Sequence, residues 1–431
     1  MPRARQALTV ALLVTGYAGY YLCRSDLSVA LPLLIRELGA HGVPANVATV
    51  RLGAVASLGV FAYAIGKFPA GWLADYFGGK LNFLFGMAGS IIFTILFAAA
   101  GGVPLFTLAW IGNRAVQSLG WAGMVKISSK WFAFSMYGTV MGIISLSYLF
   151  GDAASRQLMS TLIAHGVGWR GLFVWAAAIL GTLFVINLLL LRESPAALGL
   201  TEPPVNPENL FGKDGEASRP ANFGEFLGTF GRSPTFWLVC FLSFGVTLLR
   251  ETFNLWTPTY FTEALGFSAA DAAQRSALFP LFGGISVLLA GYLSDRLGRR
   301  GRATIVFFGL LATTFALLAL AIVSAGPMNV WLIALVAFLM IGPYSYFAGA
   351  MSLDFGGRQG SATASGFIDG VGYLGGVLAG SSVASVAVTW GWRGAFAVLA
   401  GVALISSAGA GVYRFVTISR QEQSLRGAST D

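Results

Sequence analysis

Two arginines lie near the middle of long apolar segments, where a charged side chain is costly. Arg24 belongs to the segment GYAGYYLCRSDLSVALPLL (16–34), and Arg250 belongs to LLRETFNLWTPTYF (248–261). An arginine at the centre of a membrane span costs about 2.5–3.5 kcal/mol on insertion scales, so such residues usually have a function. A guanidinium offers a planar fork of donors that fits a phosphate or a carboxylate. The two arginines therefore predict a positively charged site for an oxyanion, with one arginine from each half of the chain.

Tyrosine, lysine and asparagine residues share helical faces with one another and with these arginines. Residues spaced by four or seven positions lie on one face of a helix. The groups with this spacing are Tyr17, Tyr21 and Arg24; Tyr63 and Lys67; and Arg250 and Asn254. We expect these faces to place hydroxyl, amide and ammonium donors beside the oxyanion site.

Carboxylates in the same segments offer an alternative, in which internal ion pairs hold the arginines. The candidate partners are Glu251 or Asp369 for Arg250, and Asp26 or Asp152 for Arg24. The two interpretations are compatible, because carboxylates could neutralise the arginines while the site is empty. The sequence is therefore consistent with both an oxyanion site and internal ion pairs.

Two further cations, Arg114 and Lys126, fall in the fourth apolar segment. We expect both to lie nearer the cytoplasmic side, where a long side chain reaches the interface. A structural role is favoured for Arg114. For Lys126 a structural role and a role as charge partner in the site are equally supported.

The composition indicates that these residues belong to a polytopic membrane protein. Of the 431 residues, 56% are hydrophobic and only 10% are charged, against about 25% charged in soluble proteins; the mean hydropathy is +0.73. A helix needs roughly 20 apolar residues to cross the bilayer. Such stretches occur at approximately 7–33, 50–74, 81–101, 104–129, 137–163, 170–191, 234–261, 273–294, 303–324, 328–352, 361–386 and 393–414. The sequence therefore predicts an all-α membrane protein with twelve transmembrane helices.

The two halves of the chain repeat each other. GWLADYFGGK (71–80) recurs as GYLSDRLGRR (291–300), and GWRGLF (168–173) recurs at almost the same spacing as GWRGAF (391–396). Internal repeats of this kind are common in transporters. The repeats predict two homologous six-helix bundles.

A polar stretch rich in Pro and Gly separates the bundles. It covers residues 192–232 and predicts a cytoplasmic linker between an N-terminal bundle at 1–191 and a C-terminal bundle at 233–431, which ends in a short cytoplasmic tail. Lys and Arg concentrate in alternate loops, on the linker side. By the positive-inside rule, both termini are expected to be cytoplasmic.

The repeated loop motif G-x-x-x-D-x-x-G contains Gly71 and Asp75 in its first copy, and Gly291 and Asp295 in its second. Glycines allow helices to approach closely, and the aspartates suit helix N-termini or nearby arginines. We expect a gating or structural role for both copies.

Motifs for nucleotides, metals and catalysis are not seen in the sequence. No P-loop, H-E-x-x-H or Cys/His metal spacing occurs, so we expect neither a metal nor another cofactor. No combination of nucleophile, base and orienting group is visible either, so an enzyme is the least expected class. Transport by this chain would have to run on gradients.

Five stretches, spread in order over nearly the whole chain, carry a family resemblance. They are 16–34, YAIGKFPAG (63–71), the GW-x4-K motif of the fourth span, 248–261 and GSATASGFIDGVGYLGG (360–376). Together they resemble the organophosphate:phosphate antiporters of the major facilitator superfamily. The pair YYLxR and LLR-x5-W-x-PTY is the most specific part, because it contributes that family's paired phosphate-binding arginines.

The resemblance implies roles for individual residues. It implies that Arg24 and Arg250 bind phosphate, that Lys67 is the site lysine, and that Tyr21, Tyr63 and Tyr373 line the cavity. The sequence departs from the glycerol-3-phosphate branch of the family at three positions. Ser25 stands in place of a lysine, Tyr148 in place of a histidine, and Glu251 is not the usual neighbour of the second arginine. Tyr148 is therefore a further candidate for substrate binding.

The resemblance also implies a function, with two alternatives. It implies exchange of a sugar phosphate or glycerol-3-phosphate type ester for inorganic phosphate by alternating access, by a monomer in a bacterial inner (plasma) membrane. No nucleic-acid partner is expected. A membrane sensor of a phosphate ester would keep the same arginines, and so would a carrier of another organic anion such as a carboxylate.

Overall fold

The fold consists of helices throughout the described part of the chain. The computed structural model describes residues 3–204, 209–210, 223–267, 275–276, 278–379 and 381–428. The helices before the predicted linker are α1 (Arg3–Ala40), α2 (Ala45–Phe77), α3 (Gly79–Ala99), α4 (Val103–Trp131), α5 (Tyr137–Ala164) and α6 (Trp169–Leu190). The later helices are α7 (Phe223–Gly231), α8 (Pro234–Glu263), α9 (Leu278–Ile322), α10 (Met328–Tyr346), α11 (Ser352–Leu378) and α12 (Ser381–Ala428). The prediction of an all-α membrane protein is confirmed.

Single glycines interrupt three of the later helices. Gly298 in α9, Gly357 in α11 and Gly391 in α12 have φ angles of 62°, 55° and 70°. Glycine adopts this left-handed region without the steric cost that a Cβ atom brings. Gly298 and Gly391 fall between predicted spans, so α9 and α12 each join two segments that the sequence analysis separated. Parts of the predicted span 273–294 and of the predicted linker lie outside the described residues.

Nine stretches of the described residues are long and apolar enough to cross a membrane. Neither α2 nor α4 is in that set, although both exceed the length of a span. Both helices contain charged side chains that are buried in their interiors. These side chains are Lys67 and Asp75 in α2, and Arg114, Lys126 and Lys130 in α4. Buried charges in membrane helices usually pair with one another or mark a functional pathway.

The described residues form two compact units. The first comprises Met1–Phe134, Ile143–Ala221 and Leu353–Gly370, and the second comprises Ser135–Gly142, Asn222–Ser352 and Val371–Asp431. The beginning of α5 thus belongs to the second unit, and most of α11 belongs to the first. The domain boundaries at 191 and 233 stay a prediction.

Close helix contacts in the first unit depend on small residues. A Cβ atom on Gly79 of α3 would lie 2.5 Å from the carbonyl oxygen of Gly123 in α4. Glycine at such positions lets two helix backbones approach closely. The van der Waals contacts that result hold the helices together, because in lipid there is no hydrophobic driving force between helices. This packing fixes α4 against its neighbours, and α4 carries Arg114 and Lys126, two of the candidate residues described below.

Candidate anion-binding site

Arg24 lies directly after a break in α1. Cys23 has a non-helical conformation, with φ −87° and ψ 19°. A break in a membrane helix leaves backbone groups that need other partners; the carbonyl oxygen of Cys23 accepts a hydrogen bond of 2.9 Å from Nε2 of Gln117 in α4. The sequence analysis did not predict this break, because neither a proline nor a glycine stands at Cys23 or beside it.

The guanidinium of Arg24 contacts two of the predicted tyrosines. Its Nη1 donates to the hydroxyl of Tyr21 at 3.3 Å. Its Cζ lies 4.9 Å from the ring centroid of Tyr21 and 4.6 Å from that of Tyr63 in α2. A cation at this distance from a ring is attracted by the ring's electron density. The fold thus brings three predicted site residues, Arg24, Tyr21 and Tyr63, together.

Lys67 lies one turn after Tyr63 and is almost fully buried. Its Nζ is 4.5 Å from the Tyr63 ring centroid and forms an ion pair of 2.5 Å with Oδ2 of Asp369. Sequence analysis offered Asp369 as a partner of Arg250; the cation that it binds within the first unit is Lys67. Because these two residues are about three hundred positions apart, no local pattern could have matched them.

Arg114 of α4 contacts the ring of the same tyrosine, Tyr63. It is 3% exposed, its Cζ lies 4.5 Å from the Tyr63 ring centroid, and its Nη1 donates to Oε1 of Gln117 at 2.9 Å. Three cations therefore surround one phenol ring. We favoured a structural role for Arg114 from the sequence; the signal that could have marked it as a site residue was its charge within a span.

The remaining candidates of the first unit lie beside Arg24. Ser25 donates its hydroxyl proton to Oδ1 of Asp152 in α5 at 2.5 Å. Tyr148, one turn earlier in α5, has its ring 6.3 Å from that of Tyr21. The serine that departs from the family pattern thus binds a carboxylate that we considered for Arg24. Asp26, the other carboxylate considered for Arg24, is fully buried and accepts a hydrogen bond of 2.7 Å from the backbone N–H of Leu27.

In the second unit, Arg250 of α8 contacts a carboxylate and two tyrosines. Nε of Arg250 donates to Oε1 of Glu251 at 3.0 Å, and Nη2 also bonds this oxygen. Nη2 donates to the hydroxyl of Tyr373 at 3.1 Å, and the guanidinium lies 4.5 Å from the ring centroid of Tyr344. Asn254, one turn further along α8, is exposed. Glu251 is thus a charge partner of Arg250, and Tyr344 is a neighbour that the sequence analysis missed.

The first copy of the repeated motif holds the beginning of a helical segment. Oδ1 and Oδ2 of Asp75 accept hydrogen bonds from the backbone N–H groups of Ala362 and Thr363 at 3.3 and 2.6 Å. Lys126 forms an ion pair of 2.9 Å with Oδ1, and both side chains are fully buried. A Cβ on Gly71 would lie 2.3 Å from the carbonyl oxygen of Ala362. Lys126 therefore neutralises Asp75 in a cap, where a carboxylate at a helix N-terminus is favourable.

The second copy makes the corresponding contacts in the second unit. Asp295 accepts hydrogen bonds from the backbone N–H groups of Gly138 and Thr139 at 2.8 and 2.7 Å. A Cβ on Gly291 would lie 2.8 Å from the carbonyl oxygen of Gly138. The two copies of the motif are thus used in the same way, each capping a helix start.

A further cap comes from the predicted linker. Glu193 accepts hydrogen bonds from the backbone N–H groups of Gly79 and Lys80 at 3.0 and 2.6 Å, and Lys130 contacts the same carboxylate at 2.7 Å. The sequence analysis did not single out Glu193. Its position directly after the sixth span was the available signal.

Comparison with known proteins places these residues in a family. The profile of the Major Facilitator Superfamily matches residues 13–380. A "Probable hexose phosphate transport protein" of Chlamydia muridarum is 30% identical over 430 residues, covering 95% of this chain and 90% of the relative. The glycerol-3-phosphate transporter of Bacillus subtilis is 28% identical, with 89% and 86% covered.

Solved structures share the fold at lower sequence identity. The human organic anion transporter MFSD10 (TETRAN) superimposes with a TM-score of 0.73 at 15% identity, over 95% of this chain and all of that chain. The E. coli fucose:proton symporter FucP gives a TM-score of 0.72 at 15% identity, over 94% and 98%. These similarities show the fold alone. With the family profile and the relatives above, they establish that the chain is a multi-pass membrane protein of the Major Facilitator Superfamily and belongs to its organophosphate:phosphate antiporter family.

Proposed function

We propose that this protein exchanges an organic phosphate ester for inorganic phosphate by alternating access. The observation that carries the proposal is the placement of Arg24 and Arg250, each within reach of tyrosine hydroxyls and rings in its own unit. Guanidinium groups bind phosphoryl oxygens through two parallel hydrogen bonds. The names of the relatives, a hexose phosphate transport protein and a glycerol-3-phosphate transporter, support a phosphate ester as the substrate.

The residues around the arginines have separate roles in this proposal. Arg24 and Arg250 bind the phosphoryl group, and Lys67 adjusts the affinity for anions. Tyrosines, among them Tyr21 and Tyr373, offer hydroxyl groups and ring faces to the organic part. Binding of the substrate favours the change between outward-facing and inward-facing states, because only the loaded carrier gains this binding energy.

Counterflow in proteoliposomes tests the exchange. Vesicles loaded with unlabelled inorganic phosphate should accumulate labelled phosphate, and an external panel of sugar, glycerol and three-carbon phosphates should compete with it. Vesicles without internal phosphate should take up much less. If a simple carboxylate competes and phosphate esters do not, the chain carries another organic anion.

A membrane sensor is the second candidate, and two relatives support it. The membrane sensor protein UhpC of E. coli is 26% identical over 398 residues, and that of Salmonella typhimurium is 27% identical over 399 residues. A sensor would bind a phosphate ester without moving it. Equilibrium binding of a phosphate ester to the purified protein, together with no counterflow, would favour the sensor.

The orientation and assembly belong to the same proposal. We infer cytoplasmic termini and a cytoplasmic linker from the distribution of Lys and Arg, a bacterial inner membrane as the location, and a monomer as the transporting form. Accessibility of single introduced cysteines in the tail and in the linker, probed from each side of the membrane, tests the orientation. Labelling from the periplasmic side would contradict it.

A further inference from the structure

Arg114 lies at the same tyrosine ring as the two predicted cations of the first unit. The Tyr63 ring centroid is 4.6 Å from Cζ of Arg24, 4.5 Å from Nζ of Lys67 and 4.5 Å from Cζ of Arg114. These side chains come from α1, α2 and α4, so three helices deliver positive charge to one point. We propose that Arg114 is a third cation of the anion site, which acts on the substrate through Tyr63. The proposal rests on the proposed function and deepens it.

Gln117 fixes the position of Arg114 relative to Arg24. It accepts a hydrogen bond of 2.9 Å from Nη1 of Arg114. It also donates to the carbonyl oxygens of Cys23 and Tyr20, at 2.9 and 3.4 Å. One turn of α4 therefore connects the guanidinium of Arg114 to the broken turn that precedes Arg24. Gln117 is a positioning residue in this arrangement, because it binds Arg114 directly and reaches Arg24 through the backbone carbonyls of α1.

The burial of Arg114 determines how it acts. At 3% exposure the side chain is shielded from water, so its charge is weakly screened and its field extends through the ring of Tyr63. The other charged groups around this ring and this part of α1 are Arg24, Lys67, Asp26, Asp152 and Asp369. Coulomb energy scales with the charge of the ligand, so Arg114 favours a dianionic phosphoryl group over a monoanionic one.

Two small phosphate esters separate this role from a structural one. Methyl phosphate is a dianion at pH 8, because its second ionisation lies near pH 6, and dimethyl phosphate is a permanent monoanion. Each is tested as an inhibitor of labelled phosphate exchange in proteoliposomes. In Arg114→Gln, inhibition by methyl phosphate should weaken about tenfold and inhibition by dimethyl phosphate about threefold, since the logarithm of the effect follows the charge.

Arg170→Gln is the matched control. Arg170 also stacks on an aromatic ring, with its Cζ 4.2 Å from the ring centroid of Trp169, but it is exposed and pairs with Glu37. Both inhibition constants should keep their wild-type values in this variant. Arg114→Lys retains the charge, so it should retain the wild-type ratio of the two constants.

Several outcomes overturn the proposal. It fails if Arg114→Gln weakens both inhibitors by the same factor, if it lowers only the maximal rate, or if Arg114→Lys changes the ratio as much as Arg114→Gln. Should Arg114→Gln not insert into the membrane, Gln117→Met is measured; it keeps the charge but releases its position. It should weaken methyl phosphate more than dimethyl phosphate, and equal weakening overturns the proposal. A wild-type protein that neither exchanges phosphate nor binds methyl phosphate refutes the proposed function itself, a result distinct from all of these.

Discussion

Arg24 in the first unit and Arg250 in the second occupy corresponding helices of the two halves, α1 and α8, yet their neighbours differ. Arg24 contacts tyrosines, and one of these tyrosines also contacts Lys67 and Arg114. Arg250 is bonded through two nitrogens to Glu251, its neighbour in sequence. The first unit therefore gathers three cations around one tyrosine, with Asp369 paired to one of them, whereas the second places a carboxylate directly on its arginine.

The repeated motif shows a second difference between the units. Asp75 and Asp295 each cap a helical segment by accepting hydrogen bonds from two consecutive backbone N–H groups. Asp75 is fully buried and paired with buried Lys126, while Asp295 is half-buried. The same sequence motif thus carries a different electrostatic cost in each unit, because burial in low dielectric makes charges depend on their partners.

The largest effect is expected from the two aspartates. Asp75→Asn leaves Lys126 buried without its carboxylate partner, and breaking a buried ion pair costs about 3–5 kcal/mol of the free energy of unfolding. Asp295→Asn loses only charge-assisted hydrogen bonds at a half-buried position, which are worth about 1.5–3 kcal/mol. Thermal unfolding in detergent should show a larger fall in melting temperature for Asp75→Asn. The double variant Asp75→Asn/Lys126→Met should recover part of it, and equal falls for both single variants would contradict the comparison.

Next in size is the loss of the guanidinium fork. Arg24→Lys and Arg250→Lys keep the charge but cannot bind a phosphoryl group through two parallel hydrogen bonds. Each should lower phosphate exchange at least about tenfold, or about 1.4 kcal/mol, measured per inserted protein in proteoliposomes. Arg393→Lys, at an exposed arginine of the second unit, is the control. Near wild-type exchange in either site variant would refute a shared role for the two arginines.

A smaller effect is expected from Glu251, which distinguishes the second unit. Glu251→Gln removes the anion that competes with substrate for Arg250, so substrate should bind a few-fold more tightly. Return of the empty carrier should slow, because the Glu251 carboxylate then no longer neutralises the charge of Arg250 while the site is empty. Exchange should therefore survive better than net uptake, with Glu37→Gln as the control. An equal loss of both transport modes would show that Glu251 is structural.

The smallest effect concerns a surface contact of the first unit. Partial burial acts against ionisation of Glu37, but hydrogen bonds from Trp169 and Arg170 outweigh it and lower the pKa of this carboxyl below its ordinary value. A lowered pKa stabilises the fold above the unfolded pKa of about 4.3, and this stabilisation is lost as the pH falls through the folded pKa. The melting temperatures of wild type and Glu37→Gln should thus differ at pH 6 and converge at acidic pH. A difference that does not change with pH would contradict this assignment.

The sequence by itself determined the helical membrane fold, the repeat and the main candidates of the site. Hydropathy over windows of about 20 residues indicates spans, since a membrane helix must be apolar along its length. Arg24, Lys67 and Arg250 were identified because a charge inside a membrane span is costly and therefore usually has a function. The spacing of Tyr63 and Lys67 indicated that they share one helical face, because neighbours one turn apart are fixed by helix geometry alone; the structure shows Nζ of Lys67 beside the Tyr63 ring.

The tertiary structure alone decided which helices meet and which of their residues lie opposite one another. It brought Arg114 to Tyr63, Asp369 to Lys67 and Asp152 to Ser25. In a lipid-exposed helix the outer face and the packed face are both apolar, so hydrophobic periodicity does not show how the helix is rotated. The rotation of each helix about its axis, and its position along its neighbours, are set by close backbone approach and by hydrogen bonds across helices. One such bond runs from Gln117 to the broken turn at Cys23. Those interactions join residues far apart in the chain, and they exist only once the helices have packed.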